Sequence, residues 1–189
     1  MTESSAAATQ SPKNSPVVAP TREQFFAHLR CPNCELDTLD PRATPTTCTA
    51  CGETYKSSGG VLDLAPPGFK SIDHRIYGLK WYAKNYERGR EQLTHIRSNR
   101  TLEAEMALSA QFLNLKPDTR LLDVACGTAT FTRYIAKQAF AIAAEADPDG
   151  PHPIIMGTDL SQASLEQGQR YLEEEGMGKS VFLFRSDAT

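Results

Sequence analysis

Four of the five cysteines fall in two C-x2-C pairs, Cys31 with Cys34 and Cys48 with Cys51, and 13 residues separate the pairs. Two thiolates at this spacing turn toward one point, and two such knuckles surround one ion with four soft ligands. Zn(II) accepts that tetrahedral set because its filled d shell imposes no other geometry. Pro32-Asn33 and Thr49-Ala50 fill the turns, and Gly52 permits a positive backbone torsion after the last ligand. With all four positions taken by protein, no place is left for an activated water. The expected metal is therefore a structural zinc, a staple for a segment too small to hold itself together. The alternative is two unrelated cysteine pairs, free or redox-active.

A second group of residues points to a nucleotide. In LLDVACGTAT, Asp123 sits near the end of an apolar run, and Ala125, Cys126, Gly127, Thr128 and Ala129 form a turn into the helix-period segment TFTRYIAKQAF. Small residues let a ligand approach the backbone, and amides at a helix start receive polar or anionic groups. Asp159 ends the next apolar run, IIMGTD, and Asp187 follows the third, in VFLFRSDAT. From such positions carboxylates meet a nucleotide at the carboxyl edge of an open sheet. Cys126 has no paired His or Asn near it in sequence, so it reads as a small side chain beside the ligand rather than a nucleophile.

The elements that must position these residues follow from composition and period. Residues 1–22, rich in Ala, Ser, Thr and Pro and without periodicity, read as a disordered segment. Residues 23–66 hold the cysteines among turn-formers and close on GGVLDL, a short final strand of a zinc ribbon. Residues 67–117 read as a helical linker or lid ended by Pro117, with Leu102, Met106, Phe112 and Leu113 on one face. Within it, residues 70–100 carry eight Lys or Arg against three acidic residues, interleaved with Tyr77, Trp81, Tyr82 and Tyr86. That mixture could track a phosphate backbone and stack on bases, but the helical spacing favours a lid with packed aromatics and solvated charges. His74 and His95 read as surface or packed residues. Residues 118–189 alternate strand, helix, strand, helix, strand, with ADPDGPHP as a loop, Ser161 as an N-cap and Gly176 as a stop. Alternation of this kind predicts a parallel sheet.

Over about residues 100–189, LLDVACGTAT, GTDLS and SDAT resemble, in order, three motifs of the class I S-adenosylmethionine-dependent methyltransferases. The methyltransferase-type-11 and ubiquinone/menaquinone-biosynthesis-like groups are the most similar. The family's first motif is D-x-G-x-G-x-G, so Asp123 matches its acidic residue and Gly127 its middle glycine. Ala125 and Ala129 replace the outer glycines, Ala129 being the less usual departure.

The resemblance implies an α/β chain: an N-terminal zinc ribbon, then the first half, three strands, of a Rossmann-like class I methyltransferase parallel sheet, partial over residues 118–189. It implies S-adenosylmethionine as cofactor, bound through Asp123, Ala125, Cys126, Gly127, Thr128, Asp159, Leu160, Asp187 and Ala188. In that alignment Asp159 meets the ribose hydroxyls and Asp187 lies near the adenine amino group. A nicotinamide-binding Rossmann domain is the nearest competitor. The 36 residues from Asp123 to Asp159 require the ADPDGPHP loop as an insertion under either reading. A zinc ribbon ahead of such a domain is similar to the zinc-ribbon ribosomal RNA guanine methyltransferases and to plant and algal methyltransferases, which leaves the acceptor as a small molecule or RNA. The family's sheet has seven strands, so the chain reads as a truncated enzyme with an open edge at its first strand, expected to lack turnover alone. No catalytic base is nominated. A reading from another class is a non-enzymatic zinc-binding interaction module with a degenerate nucleotide-binding fold.

Composition narrows the field. At 189 residues, with 40% hydrophobic and 23% charged side chains, the chain is neither wholly disordered nor fibrous. A net charge of -3 gives no bulk attraction to nucleic acid. No apolar run approaches the roughly 20 residues that span a bilayer. The default compartment is the cytoplasm; import into a chloroplast or other organelle is the alternative, and Lys13 is the single basic residue among the first twenty. The expected outcome of metal analysis is about one zinc per chain, lost in Cys31→Ala or Cys48→Ala. Unchanged zinc in both variants would refute the assignment.

Overall fold

The computed structural model describes residues 19–66 and 80–187. The readings placed on residues 1–18, His74, Tyr77 and Ala188, and on the Tyr82 side chain, lie outside the described residues. The three expected parallel strands are present: β6 (Arg120–Val124), β7 (Ile154–Asp159) and β8 (Val181–Arg185). Helices α4 (Thr130–Ala146) and α5 (Gln162–Glu174) connect them. Register is set by apolar alternation, since successive side chains leave a strand on opposite faces. Ile155, Val181 and Leu183 join Ala136, Phe140, Leu165 and Leu172 beneath the helices. Ile154, Met156 and Phe184 join the opposite core.

That opposite core belongs to the cysteine module. Short helix α1 (Arg22–Phe26) starts with a capping box in which Gln24 N–H donates to Thr21 Oγ1 and Thr21 N–H donates to Gln24 Oε1. The box fixes the direction of Phe25 and Phe26, whose rings meet Phe182 of β8 at centroid distances of 5.4 and 5.7 Å. Burial of each such side chain is worth about 1.5–3 kcal/mol. Strands β1 (Leu39–Asp40), β2 (Thr46–Cys48) and β3 (Thr54–Tyr55) form a small antiparallel sheet. Cys31, Cys48 and Tyr55 are buried in one cluster with Ile154, Met156 and Phe184.

GGVLDL does not close the small sheet, as the sequence reading had it. Val61–Asp63 (β5) pairs in parallel with β8, and Ser57–Ser58 (β4) pairs antiparallel with β5. The larger sheet therefore has five strands, ordered β4-β5-β8-β7-β6. Arg185 ties the added strand down by an ion pair with Asp63 at 3.0 Å. At the other end β6 is the edge, and Leu122 and Val124 on it are 52% and 53% exposed.

Helical content between the two halves is broken where the sequence reading ran on. Helix α2 (Lys80–Ser98) stops at Asn99, which has φ 52°, and Thr101 caps α3 (Leu102–Leu113) by accepting from Ala104 N–H. The apolar face expected on α3 is not buried: none of its residues is, and Phe112 is 81% exposed. Its stop is Asn114 in the left-handed region, ahead of Pro117. Helix α4 runs past TFTRYIAKQAF to Ala146. Ser161 caps α5 as expected, accepting from Ser164 N–H. Gly176, at φ 74°, ends it, with Met177 N–H returning to Leu172 O at 2.7 Å. No described helix is long and apolar enough to cross a membrane.

Two glycines test the packing in opposite directions. A Cβ on Gly168 of α5 would stand 2.9 Å from Thr128 O and 3.2 Å from Ala129 Cβ, whereas one on Gly89 of α2 would meet nothing within 4 Å. Gly168→Ala is expected to destabilise by about 1–3 kcal/mol through forced backbone shifts. Gly89→Ala should stabilise by about 0.5–1 kcal/mol through helix propensity alone. Urea unfolding of the two variants checks both signs.

Candidate functional site

The cysteine sulfurs converge. All four Sγ atoms lie within 4.8 Å of one another, with Cys31–Cys51 at 3.7 Å and Cys34–Cys48 at 3.6 Å. Disulfide bonds of about 2.05 Å are excluded by those separations, whereas a zinc tetrahedron with bonds of about 2.3 Å has edges of about 3.8 Å. Donors surround the sulfurs: the Tyr55 hydroxyl is 3.1 Å from Cys31 Sγ and the Thr38 hydroxyl 3.1 Å from Cys48 Sγ. The Thr38 contact holds the Cys48 thiol down to about 6. Burial first, then the Cys31 sulfur, pushes the Tyr55 phenol up, so it stays protonated as a donor. The donor set and its spacing fit zinc, and Tyr55 and Thr38, which no spacing rule marks, orient the ligands.

The second site is the turn after β6. Ala125, Gly127 and Ala129 all occupy the left-handed region, at φ 60°, 59° and 59°. Alternate positive torsions coil the chain tightly enough for α4 to begin one residue later. At two of the three positions alanine stands where glycine would be free of strain, at a cost of roughly 1–2 kcal/mol each. Ala129 is fully buried, against the flank that Gly168 leaves open. Gly127 is open by contrast, since the nearest atom to a Cβ there would be Tyr86 Cε1 at 4.0 Å.

The structure brings Asp123, Cys126, Gly127, Thr128 and Asp159 together. Asp159 accepts from Gly127 N–H at 2.8 Å and from Ser161 N–H at 2.8 Å, so its carboxylate clamps the turn to the start of α5. Asp123 accepts from the Thr132 hydroxyl at 2.6 Å. Burial pushes the Asp123 carboxyl up, against the Thr132 bond and the Arg90 charge, and the Asp159 charge adds to the rise. Burial likewise pushes the Cys126 thiol up, with Asp123 and Asp159 reinforcing it, which denies it the thiolate a nucleophile needs. Leu160 contributes its carbonyl, which accepts from Arg185 Nε at 2.8 Å. Asp187 follows β8 by two residues at the same carboxyl edge.

Sequence reasoning missed Glu87. It reaches from α2 to the N-terminus of α4, where Ala129 supplies no side-chain cap. Its Oε1 accepts from the Thr130 hydroxyl at 2.9 Å and the Thr128 hydroxyl at 3.3 Å, and pairs with the Arg133 guanidinium. A negative group is favoured there by the unsatisfied amides of the helix end. Arg133, with its side chain 10% exposed, also pairs with Glu175 at 2.6 Å and lies 4.6 Å from the Tyr171 ring centre. Glu87 stands 41 residues from Thr128, a separation at which no local motif could reveal it.

A raised folded-state pKa fixes the sign of one pH effect. Asp123 contributes stability while protonated, below the ordinary carboxyl range, and that contribution is lost as pH rises through its folded value. Asp123→Asn keeps an acceptor for Thr132 and removes the buried charge. The variant is expected to be more stable than the parent at pH 7, with the gain shrinking as pH falls through the carboxyl range. A gain independent of pH in denaturant titrations would contradict this.

No protein-family model matches the chain, and no curated protein matches it. Several solved structures are similar to part of it, two of them as follows. The structure of YjhP from E. coli shares 23% identity at a TM-score of 0.35, over 60% of this chain and 37% of that one. Geranyl diphosphate methyltransferase in complex with SAM shares 21% identity at a TM-score of 0.32, over 62% of this chain and 41% of that one. The chain thus spans about two fifths of the length of each neighbour.

Proposed function

We propose that the turn after β6 binds S-adenosylmethionine, that the chain is the cofactor-binding part of a methyltransferase, and that the four cysteines hold a structural zinc. The observation that carries the reading is the open, left-handed Gly127 at the carboxyl edge, with the Asp159 carboxylate on its amide. A backbone without a side chain there is a cradle that a Cβ would fill, and Asp159 retains lone pairs for a second donor pair such as ribose hydroxyls. Asp123 and Asp187, at the ends of two further strands, fit the polar and cationic character of the same ligand. When bound, S-adenosylmethionine supplies a sulfonium methyl for displacement by a nucleophilic acceptor. The chain's own part is alignment and exclusion of water, through Thr128 and Thr130 held by Glu87 and through α2 lying beside the turn.

Calorimetric titration of the chain with S-adenosylmethionine tests the reading. Saturable binding is expected. Asp159→Asn should weaken it by about 1.5–3 kcal/mol, the worth of a hydrogen bond to a charged group, with one oxygen left for Ser161 N–H and the Gly127 N–H acceptor lost. Glu145→Gln, on the exposed side of α4, controls for general charge loss and should leave affinity unchanged. A folded chain that binds no S-adenosylmethionine would remove the methyltransferase reading.

A further inference from the structure

The cavity between α2 and α3, we propose, binds a small, flat, apolar compound carrying an anionic group, and on the methyltransferase reading, on which this role rests, that compound is the methyl acceptor. The cavity has a volume of about 820 Å³, within the range of small-molecule sites. Among its lining residues Trp81, Tyr86 and Leu93 are apolar or aromatic and Arg90 and Arg97 cationic, beside the neutral polar Asn85 and Thr94 and one carboxylate, Glu105. Residues 86, 90, 93 and 97 recur at the helical period, so one face of α2 presents both apolar and cationic side chains.

Exposure makes the apolar wall informative. Trp81, the chain's one tryptophan, is 73% exposed, and Leu93 is 54% exposed. Large apolar side chains clustered at a cavity mark a surface that something covers. Aromatic walls select a flat partner through offset or edge contacts. The two arginines are committed differently. Arg90 lies 4.6 Å from the Phe131 ring centre and acts on Asp123. Arg97 has no ion-pair partner among the described residues. A guanidinium so placed matches a carboxylate, sulfonate or phosphate through paired N–H donors. Two cations among the described lining residues do not by themselves make the extended track that a polynucleotide backbone requires.

Position connects the cavity to the turn. Tyr86 lines the cavity, and its ring edge is the nearest atom that a Cβ on Gly127 would meet, at 4.0 Å; Arg90 lines the cavity too, and its charge acts on Asp123. A compound seated against Tyr86 would lie next to whatever the turn holds.

The test uses 2-naphthoate and its uncharged counterpart 2-naphthamide, titrated into the zinc-reconstituted chain. Calorimetry gives affinity, and the indole N–H resonance of Trp81 reports the place without ambiguity. Naphthoate is expected to bind saturably, to shift that resonance, and to bind about tenfold more tightly than the amide. Arg97→Gln, at an exposed position, should bring naphthoate down to the amide's affinity while circular dichroism is unchanged. Absence of a saturable shift overturns the proposal, as do equal affinities that Arg97→Gln leaves alone. A shift produced by a short single-stranded oligoribonucleotide and not by naphthoate assigns the surface to RNA and overturns it too. Parallel titration with S-adenosylmethionine separates the two readings. Cofactor binding without naphthoate binding defeats the cavity alone. Naphthoate binding without the cofactor upholds the cavity as a binding site and removes its acceptor role.

Discussion

One shared core joins the cysteine cluster to the sheet, and the rest of the fold leans on it. The parallel strands are covered on one face by α4 and α5, but among the described residues their other face has no long helix. Phe25, Phe26, Leu39 and Tyr55 cover it, held in place by a module with strands of two or three residues. Such short strands cannot order themselves, because the entropy of fixing the chain exceeds what their few contacts return. A metal bound by Cys31, Cys34, Cys48 and Cys51 would supply the missing cohesion, and its free energy would be folding free energy for the sheet as well. The cysteine cluster and the turn after β6, which look separate in sequence, are mechanically one object, since β5 leaves the module and pairs with β8.

Around the turn the chain accepts strain and then restrains it. Left-handed alanines at 125 and 129 would relax if the turn were loose. Three contacts oppose relaxation: Asp159 on the Gly127 amide, α5 pressed against the Thr128 carbonyl at Gly168, and Glu87 on the two threonine hydroxyls. Each comes from a different element, so the turn is over-determined from three sides. A binding loop fixed before its ligand arrives loses less entropy on binding.

How much of this the sequence disclosed depends on the range of each interaction. The cysteine pairs, the three strands, the Ser161 cap and the Gly176 stop are written in residues a few positions apart, and all are present. Asp123, Gly127 and Asp159 were legible as a group because strand ends in a parallel sheet share an edge. The pairing of Asp63 with Arg185 spans 122 residues, and Glu87 with Thr128 spans 41; neither leaves a local pattern. GGVLDL looks alike whether it closes a small ribbon or extends a larger sheet, because strand period says nothing about the partner. On α3 the apolar stripe was legible but not its partner: a helical stripe records capacity to pack, and the described residues provide no surface that takes Phe112.

Helix α2 gathers several of these contacts. Glu87, Arg90 and Tyr86 lie within about one turn and serve three tasks: an anion for the α4 terminus, a cation whose charge acts on Asp123, and a ring beside Gly127. The spacing forces the tasks to be coupled, since rotation or withdrawal of α2 would disturb all of them together. Arg133 makes the coupling costly to break. Losing Glu87 would leave a mostly buried guanidinium with Glu175 as its remaining carboxylate partner among the described residues, at part of the penalty of about 3–5 kcal/mol that a wholly uncompensated buried charge carries. A helix so anchored at its middle, yet exposed at Trp81 and Leu93, behaves as a fixed wall with an open face rather than as a loosely tethered cover.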